Sequence, residues 1–282
     1  GPGGVADPGA IALGAGTVLL VLMTVGWGLS ALLTYARFAG FTLEGVASAD
    51  GGVLRRRYGL LTTREGSLPR RRVQVLRLEE SALRRIVGRV VLRAETAGSA
   101  AGKGGARAGR DVLAPATTRD AAAALVPVIL PGASLPERWT PVSSLIVRRS
   151  AFRGGLLALL LAAAAWTLAV PWPLMLALPS LPALGALSGA LAHRRLGWAV
   201  VGEHLALRSG RLGQARALVP RERVQAVRLS STPFDRRAGV QTLRLHVVGG
   251  AQLAMGYLPA PDAAALARFL THRADAPGTE MR

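Results

Sequence analysis

The apolar positions of this chain gather in long blocks, with short alternating stretches between them. Residues 10–36 are almost wholly apolar and uncharged until Arg37. A bilayer core of about 30 Å takes about 20 such residues as helix, so the pattern predicts a transmembrane helix over 10–36. Small residues along it (Gly14, Gly16, Gly26, Gly28 and Ser30) predict the close approach of another helix. Two further apolar runs, 154–170 and 174–192, flank Pro171-Trp172-Pro173. They predict a transmembrane helical hairpin over 154–193. Its first run is short for a span, and Pro179 and Pro182 break or kink the second near its start.

Between and after these blocks the period drops to two. Leu76-Arg77-Leu78 and Leu92-Arg93-Ala94 alternate apolar and charged residues, the mark of half-buried strands. Strand-like stretches recur at 199–201, 205–208, 224–229 and 243–248. Gly59 signals a turn, and 98–109, with Lys103 and Arg107, reads as a flexible hairpin tip. A Thr or Asp at Thr118-Arg119-Asp120 caps a short closing helix whose length Pro127 limits. DAAALARFLTHR predicts a second closing helix, with Leu266, Phe269 and Leu270 on one face. The chain thus divides into a non-cytoplasmic loop (1–9), a helix (10–36), a first soluble domain (37–131), a linker (132–153), the hairpin (154–193), a second soluble domain (194–275) and a tail (276–282). The opening GPGGVADPGA has no initiator methionine and reads as the start of a fragment, with more chain upstream.

LPRRRVQVLRL at 68–78 returns as VPRERVQAVRL at 219–229. The two copies align without gaps at an offset of 151 residues, from Leu54 to Gly98 against Leu205 to Gly249. Identical pairs include Gly59/Gly210, Pro69/Pro220, Arg70/Arg221, Arg72/Arg223, Gln74/Gln225 and Gly88/Gly239. So long a period marks a duplicated domain, because solenoid repeats run to about 20–50 residues. Gly59 and Gly210 are expected to need a positive φ. Pro69 and Pro220 are expected to start a strand. Leu76/Val227 and Leu78/Leu229 form its inward face, Arg77 and Arg228 point the other way, and Leu83 and Phe234 serve as apolar plugs.

Composition sharpens the membrane reading. Half of the residues are hydrophobic and the net charge is +19, with Lys103 the single lysine. The arginines crowd the flanks of the apolar blocks, which is the bias of cytoplasmic loops. No aromatic and basic interleaving of the single-strand-binding kind is present. There is no cysteine, which removes thiol chemistry and cysteine-bound zinc. The four histidines are scattered without metal-ligand spacing, AGKGG fails the phosphate-loop pattern, and no serine sits in a nucleophile elbow. No catalytic, cofactor or metal site is expected, and the chain does not read as an enzyme. The candidate contacts are the arginine sets Arg55, Arg56, Arg57, Arg70, Arg72, Arg221 and Arg223, which suit anionic lipid headgroups or a protein partner.

The residues Gly59-Leu60, Leu68-Pro69, Arg72-Val73-Gln74, Ser81, Leu83, Gly88 and Thr96-Ala97-Gly98 resemble the bacterial pleckstrin-homology-like domain of DUF304 membrane proteins, the YdbS/YdbT type. The second copy departs at Thr232-Pro233-Phe234-Asp235 and at Val247-Val248-Gly249. The resemblance implies an α+β membrane protein with two PH-like β-sandwich or barrel domains. Each would have about seven strands and a C-terminal helix, and transmembrane helices would link them. The expected role is a multi-pass plasma-membrane scaffold or assembly module with cytoplasmic PH-like domains. Its partners would be the bilayer, anionic headgroups, and a second membrane protein of the same family or a second copy; no nucleic acid and no small-molecule substrate is expected. An accessory role in membrane transport or export, and a basic nucleic-acid-binding surface, are the alternatives.

Overall fold

The computed structural model describes residues 8–46, 52–60, 62–96, 110–168, 171–248 and 250–271. The expected hairpin tip at 98–109, the first seven residues of the opening loop and the tail lie outside them. The chain forms two compact bodies, one from residues 1–48 and 52–68, the other from 49–51 and Pro69 onward. The division falls after Leu68, inside the segment read as the first domain.

The first body carries α1 (Pro8–Phe38) and a three-stranded sheet of β1 (Thr42–Val46), β2 (Val53–Tyr58) and β3 (Arg64–Pro69), in that order. The described part of α1 is exposed and apolar, with a mean hydropathy of 1.9 over Gly14–Leu33. The sheet is tied to the end of this helix. The N–H groups of Gly59 and Leu60 donate to Ala39 and Ala36 carbonyls at 2.9 Å, and Tyr58 packs on Phe38 and Phe41. Among the described residues, nothing lies within 4 Å of a Cβ position at Gly14, Gly16, Gly26 or Gly28.

The second body is organised by one seven-stranded sheet of order β6-β5-β4-β10-β9-β8-β7. From the first copy it takes β4 (Val73–Glu80), β5 (Arg89–Thr96) and β6 (Arg110–Thr118), closed by α3 (Arg119–Ile129). From the second it takes β8 (Gly197–Val201), β9 (His204–Ser209) and β10 (Gln214–Pro220), with the short β7 (Thr140–Pro141) at its edge. The two halves join where β4 and β10 pair antiparallel, Leu76 opposite Leu218 and Glu80 opposite Gln214. The second copy then adds a separate sheet of β11 (Val224–Ser230), β12 (Val240–Val247) and β13 (Gln252–Pro259), and ends in α8 (Ala260–Thr271). The described residues therefore hold a mixed α+β fold with six strands in the first copy and, counting the short β7, seven in the second, where about seven were expected. Val75 of the first copy is buried in the core of the second, among Leu205, Ala217, Val219, Leu245 and Leu266.

The repeat is visible in backbone detail. Gly59 and Gly210 take φ of +117° and +141°, and a Cβ at either would collide with a carbonyl across the turn. Gly88 and Gly239 both take +64°. Gln74 and Gln225 are each the extra residue of a β-bulge: Val73 and Val75 face Thr96 and Glu95, and Val224 and Ala226 face Val247 and His246. After the strand, α2 (Ala82–Ile86) and α7 (Pro233–Arg237) are capped by Ser81 and Thr232 at equivalent positions. The departure at 232–235 thus preserves a cap; Asp235 completes it as a capping box.

Two expectations change. LPRRRVQVLRL is not one strand, because Pro69 and Pro220 end strands rather than start them. Arg70–Arg72 and Arg221–Arg223 then form a 3-10 turn before the next strand begins. Leu83 and Phe234 are not plugs; they are 72% and 73% exposed on their short helices. The closing helix α3 is as expected: Thr118 caps it, and it ends two residues after Pro127.

The apolar hairpin is α4 (Leu145–Thr167), a single turn α5 (Trp172–Met175) and α6 (Ser180–Arg195). α4 begins inside the segment read as linker, so Arg148, Arg149 and Arg153 lie on the helix itself. At about 1.5 Å per residue its 23 residues are long enough to cross a bilayer, while the 16 of α6 fall short of the core thickness. Among the described helices, α1 and α4 meet the length and hydropathy of a span. α4 and α6 pack through glycines. A Cβ at Gly189 would lie 2.8 Å from Val147 Cα, and one at Gly154 or Gly185 would collide with a carbonyl of the other helix. Gly185 and Gly189 are four apart, the spacing that lets helix backbones approach.

Candidate functional site

The 3-10 turns of both copies meet at one cleft of about 960 Å³ in the second body. Arg70 and Arg71 come from the first turn, and Arg221, Glu222 and Arg223 from the second. The rest of the lining includes Ile129–Pro131 at the end of α3, Glu203 and His204 at the start of β9, and Val224–Val227 along β11. Proline fixes the entry to each turn at φ of −60° and −63°. The arginines are thereby held on a tight turn instead of alternating across a sheet.

These cations are not equivalent. Arg221 is committed to the fold: it meets Glu203 at 3.3 Å and lies 5.1 Å over the Phe269 ring. Arg223 lies 3.0 Å from Glu222, but its Nε, like that of Arg70, is buried without a hydrogen bond among the described residues. Arg71 is exposed, and the Nε of Arg70 is buried with no hydrogen-bond partner among the described residues. His204 is buried at the floor, and its desolvation favours the neutral imidazole and pulls its pKa below the usual value, against the raising influence of Glu222 and Glu203. Four guanidinium groups face two carboxylates, which leaves the cleft positive and suited to a phosphate or carboxylate.

Of the arginines singled out from the sequence, the structure brings Arg70, Arg221 and Arg223 together. Arg72 is exposed on the same turn but does not line the cleft. Arg55, Arg56 and Arg57 lie on β2 of the first body, where Arg57 meets Glu65 at 3.4 Å. Glu203, His204 and Glu222 were missed, and Arg71, which stands in one triplet with Arg70 and Arg72, was dropped because it does not recur. Arg71 aligns with Glu222 and so lacks the recurrence that marks Arg70 and Arg72, while His204 carries no pattern beyond its place at the start of a strand.

Two ionic clusters fix the surroundings. At the β4–β10 junction Glu80 is buried and accepts from Arg119 of α3. Arg216 of β10 lies beside this pair; its desolvation lowers its pKa while the charge of Glu80 opposes the fall. At the start of α4, Arg149 pairs with Asp235 of α7 and lies over the Tyr257 ring at 5.6 Å. Tyr257 takes φ of +61°, and its carbonyl accepts the Ser143 N–H at 2.8 Å. The helix that carries the apolar span is thus fastened to the second copy by charge, ring and backbone together.

Among the described residues no three of His, Asp or Glu gather as a metal-ligand set. The comparisons with known proteins agree with the repeat. The chain is 24% identical over 193 residues to the UPF0699 transmembrane protein YdbT of Bacillus subtilis (strain 168); the match takes in 67% of this chain and 38% of that protein. The chain therefore corresponds to well under two thirds of that relative's length. No solved structure matches. Residues 8–133 and 139–274 each match the bacterial PH domain family separately, one match for each copy of the repeat, and the chain belongs to that family.

Proposed function

We infer that this chain is a membrane-anchored scaffold or assembly module in which PH-like units are joined edge to edge. The observation that carries this reading is the pairing of β4 with β10, which makes one sheet from two copies of a repeated domain. Strand addition at a sheet edge is a general mode of recognition, in which backbone hydrogen bonds supply affinity and alternate side chains fix the register. Support for the membrane comes from the two span-length apolar helices and from a relative named as a transmembrane protein. Crosslinking followed by pull-down from native membranes tests the reading. Recovery of the chain itself or of another membrane protein of this family is expected; recovery of the bait as an isolated monomer would contradict it.

The proposed orientation puts both PH-like units in the cytoplasm of a plasma-membrane protein and the Pro171–Pro173 turn outside, following the arginine bias. Anionic headgroups are the second reading, favoured by the positive cleft and by α7. That short helix exposes Phe234 beside Arg236 and Arg237, and Arg149 holds it at the first turns of α4.

A further inference from the structure

β4 and β11 are the same strand of the repeat, yet they differ in their neighbours. β4 lies between β5 and β10, while β11 has β12 on one side and, among the described residues, no strand on the other. Burial follows the pairing. Val73, Gln74, Val75 and Leu76 are buried; of their counterparts, Val224 and Val227 are half-buried and Gln225 and Ala226 are exposed. The strand that fills the edge shows the same asymmetry. β10 lies between β9 and β4, and its counterpart β3 pairs, among the described residues, with β2 alone. Leu218 is buried where Ser67 is exposed, and Ala217 is buried where Gly66 is half-buried.

The described chain therefore holds one open receiving edge, β11, and one spare strand of the type that fills it, β3. It also shows once, at β4 and β10, how that strand type seats. The cleft runs along this open edge: Val224–Val227 line it, and the counterpart of Val227 is Leu76, the residue on which Leu218 sits.

We propose that β11 receives β3 of a second copy of this chain, an inference that rests on the scaffold reading and names its partner. Carried across the repeat, the observed register sets Ser67 of one copy opposite Val227 of the other, Gly66 opposite Arg228, and Glu65 opposite Leu229. The polar β3 fits a strand that is solvated until it is paired, whereas β10, which is always paired, carries Leu218 at the position of Ser67. Donor and receiver are different surfaces, so the contact is head-to-tail and builds a ring or an open array instead of a closed two-fold dimer.

The chain has no cysteine, which makes the register directly testable. Opposed residues in an antiparallel pair have Cα atoms about 4.5–5.5 Å apart, inside the disulfide range of about 4.4–6.8 Å. Differently tagged full-length chains carrying Ser67→Cys and Val227→Cys are co-expressed and oxidised in native membranes. The expected product is a disulfide-linked heterodimer bearing both tags. Its yield should be several-fold above that of Ser67→Cys with Arg228→Cys, where a one-residue slip turns the side chain to the other face. Equal yields from the two pairs, or no heterodimer, overturn the proposal. A double variant that closes only within one chain, at monomer mass, overturns it as well, because its own β3 then fills the edge. The wild-type chain, which no substitution can unfold, should give multiples of the monomer mass after gentle solubilisation; a strict monomer overturns the proposal. A failed cross-link with partners still recovered in the pull-down sinks the strand seat alone and leaves the scaffold reading standing.

Discussion

Leu76 of the first copy and Leu218 of the second lie directly opposite each other on neighbouring strands, and both are fully buried. Val75, one position earlier, is buried in the core of the second copy. A single strand therefore serves two repeat units, Leu76 at the seam and Val75 in the second core, and neither unit closes its core alone.

The seam should be sensitive to its buried charge. Glu80 is 6% exposed and accepts from Arg119, with Arg216 alongside. Replacement by Ala leaves two guanidinium groups without their shared anion. Glu80→Ala should lower stability by about 1–3 kcal/mol, read as a fall in the thermal midpoint of the solubilised chain. Glu65→Ala, at an exposed pair on β3, should change it little.

The α4–α6 hairpin should reject bulk at its glycines. A methyl at Gly189 meets Val147 Cα and Ser150 Cβ inside 3 Å, so Gly189→Val must push the helices apart. A cost of about 1–3 kcal/mol is expected from overpacking. Gly26→Val on α1, where the space is open, should leave the solubilised chain as stable as the wild type. Differential scanning fluorimetry separates the two.

Asp235 predicts an acid limit. Burial works against its charge, but the Thr232 N–H and hydroxyl and the Arg149 guanidinium outweigh burial and hold the carboxyl below the ordinary carboxylate range. A lowered folded-state pKa means that its stabilisation is fully present above the unfolded value near 3.9 and is lost as pH falls through the lower folded value. The midpoint gap between wild type and Asp235→Asn should be constant near neutral pH and shrink below about pH 4. A gap that widened on acidification would show that the sign is wrong.

The cleft predicts selectivity for anions. Short-chain anionic phospholipid should raise the midpoint of the solubilised chain more than a zwitterionic one of equal chain length, by mass action on the folded state. Arg70→Gln with Arg71→Gln should cut that difference. Arg72→Gln, on the same turn but outside the lining, should not.

Much of the fold was legible because each repeated residue has a local reason. The positive φ at Gly59 and Gly210, the two closing helices and the break near Pro179 all follow from backbone sterics and periodicity, which a single sequence carries. The nature of LPRRRVQVLRL was hidden, because three arginines between a proline and a β-branched residue fit a strand or a tight turn equally well. The partner of β4 was hidden for a different reason. A strand's own pattern tells which face is buried but not which edge is filled, and Val73–Leu76 and Val224–Val227 read alike although, among the described residues, only the first has a neighbour on both sides. The cleft followed from that topology, so His204 had no signal in the sequence, Arg71 had its triplet but not recurrence, and Arg55–Arg57, chosen for their charge, lie on another body.

The joining of β4 and β10 is the central claim, and one disulfide tests it most directly. Glu79 and Ala215 are directly opposed across the seam, and the chain has no other thiol to compete. The full-length Glu79→Cys/Ala215→Cys variant, oxidised in native membranes and run without reductant, should form an intramolecular bond at monomer mass with no free thiol left to alkylate. Two freely alkylated cysteines would contradict the continuous sheet.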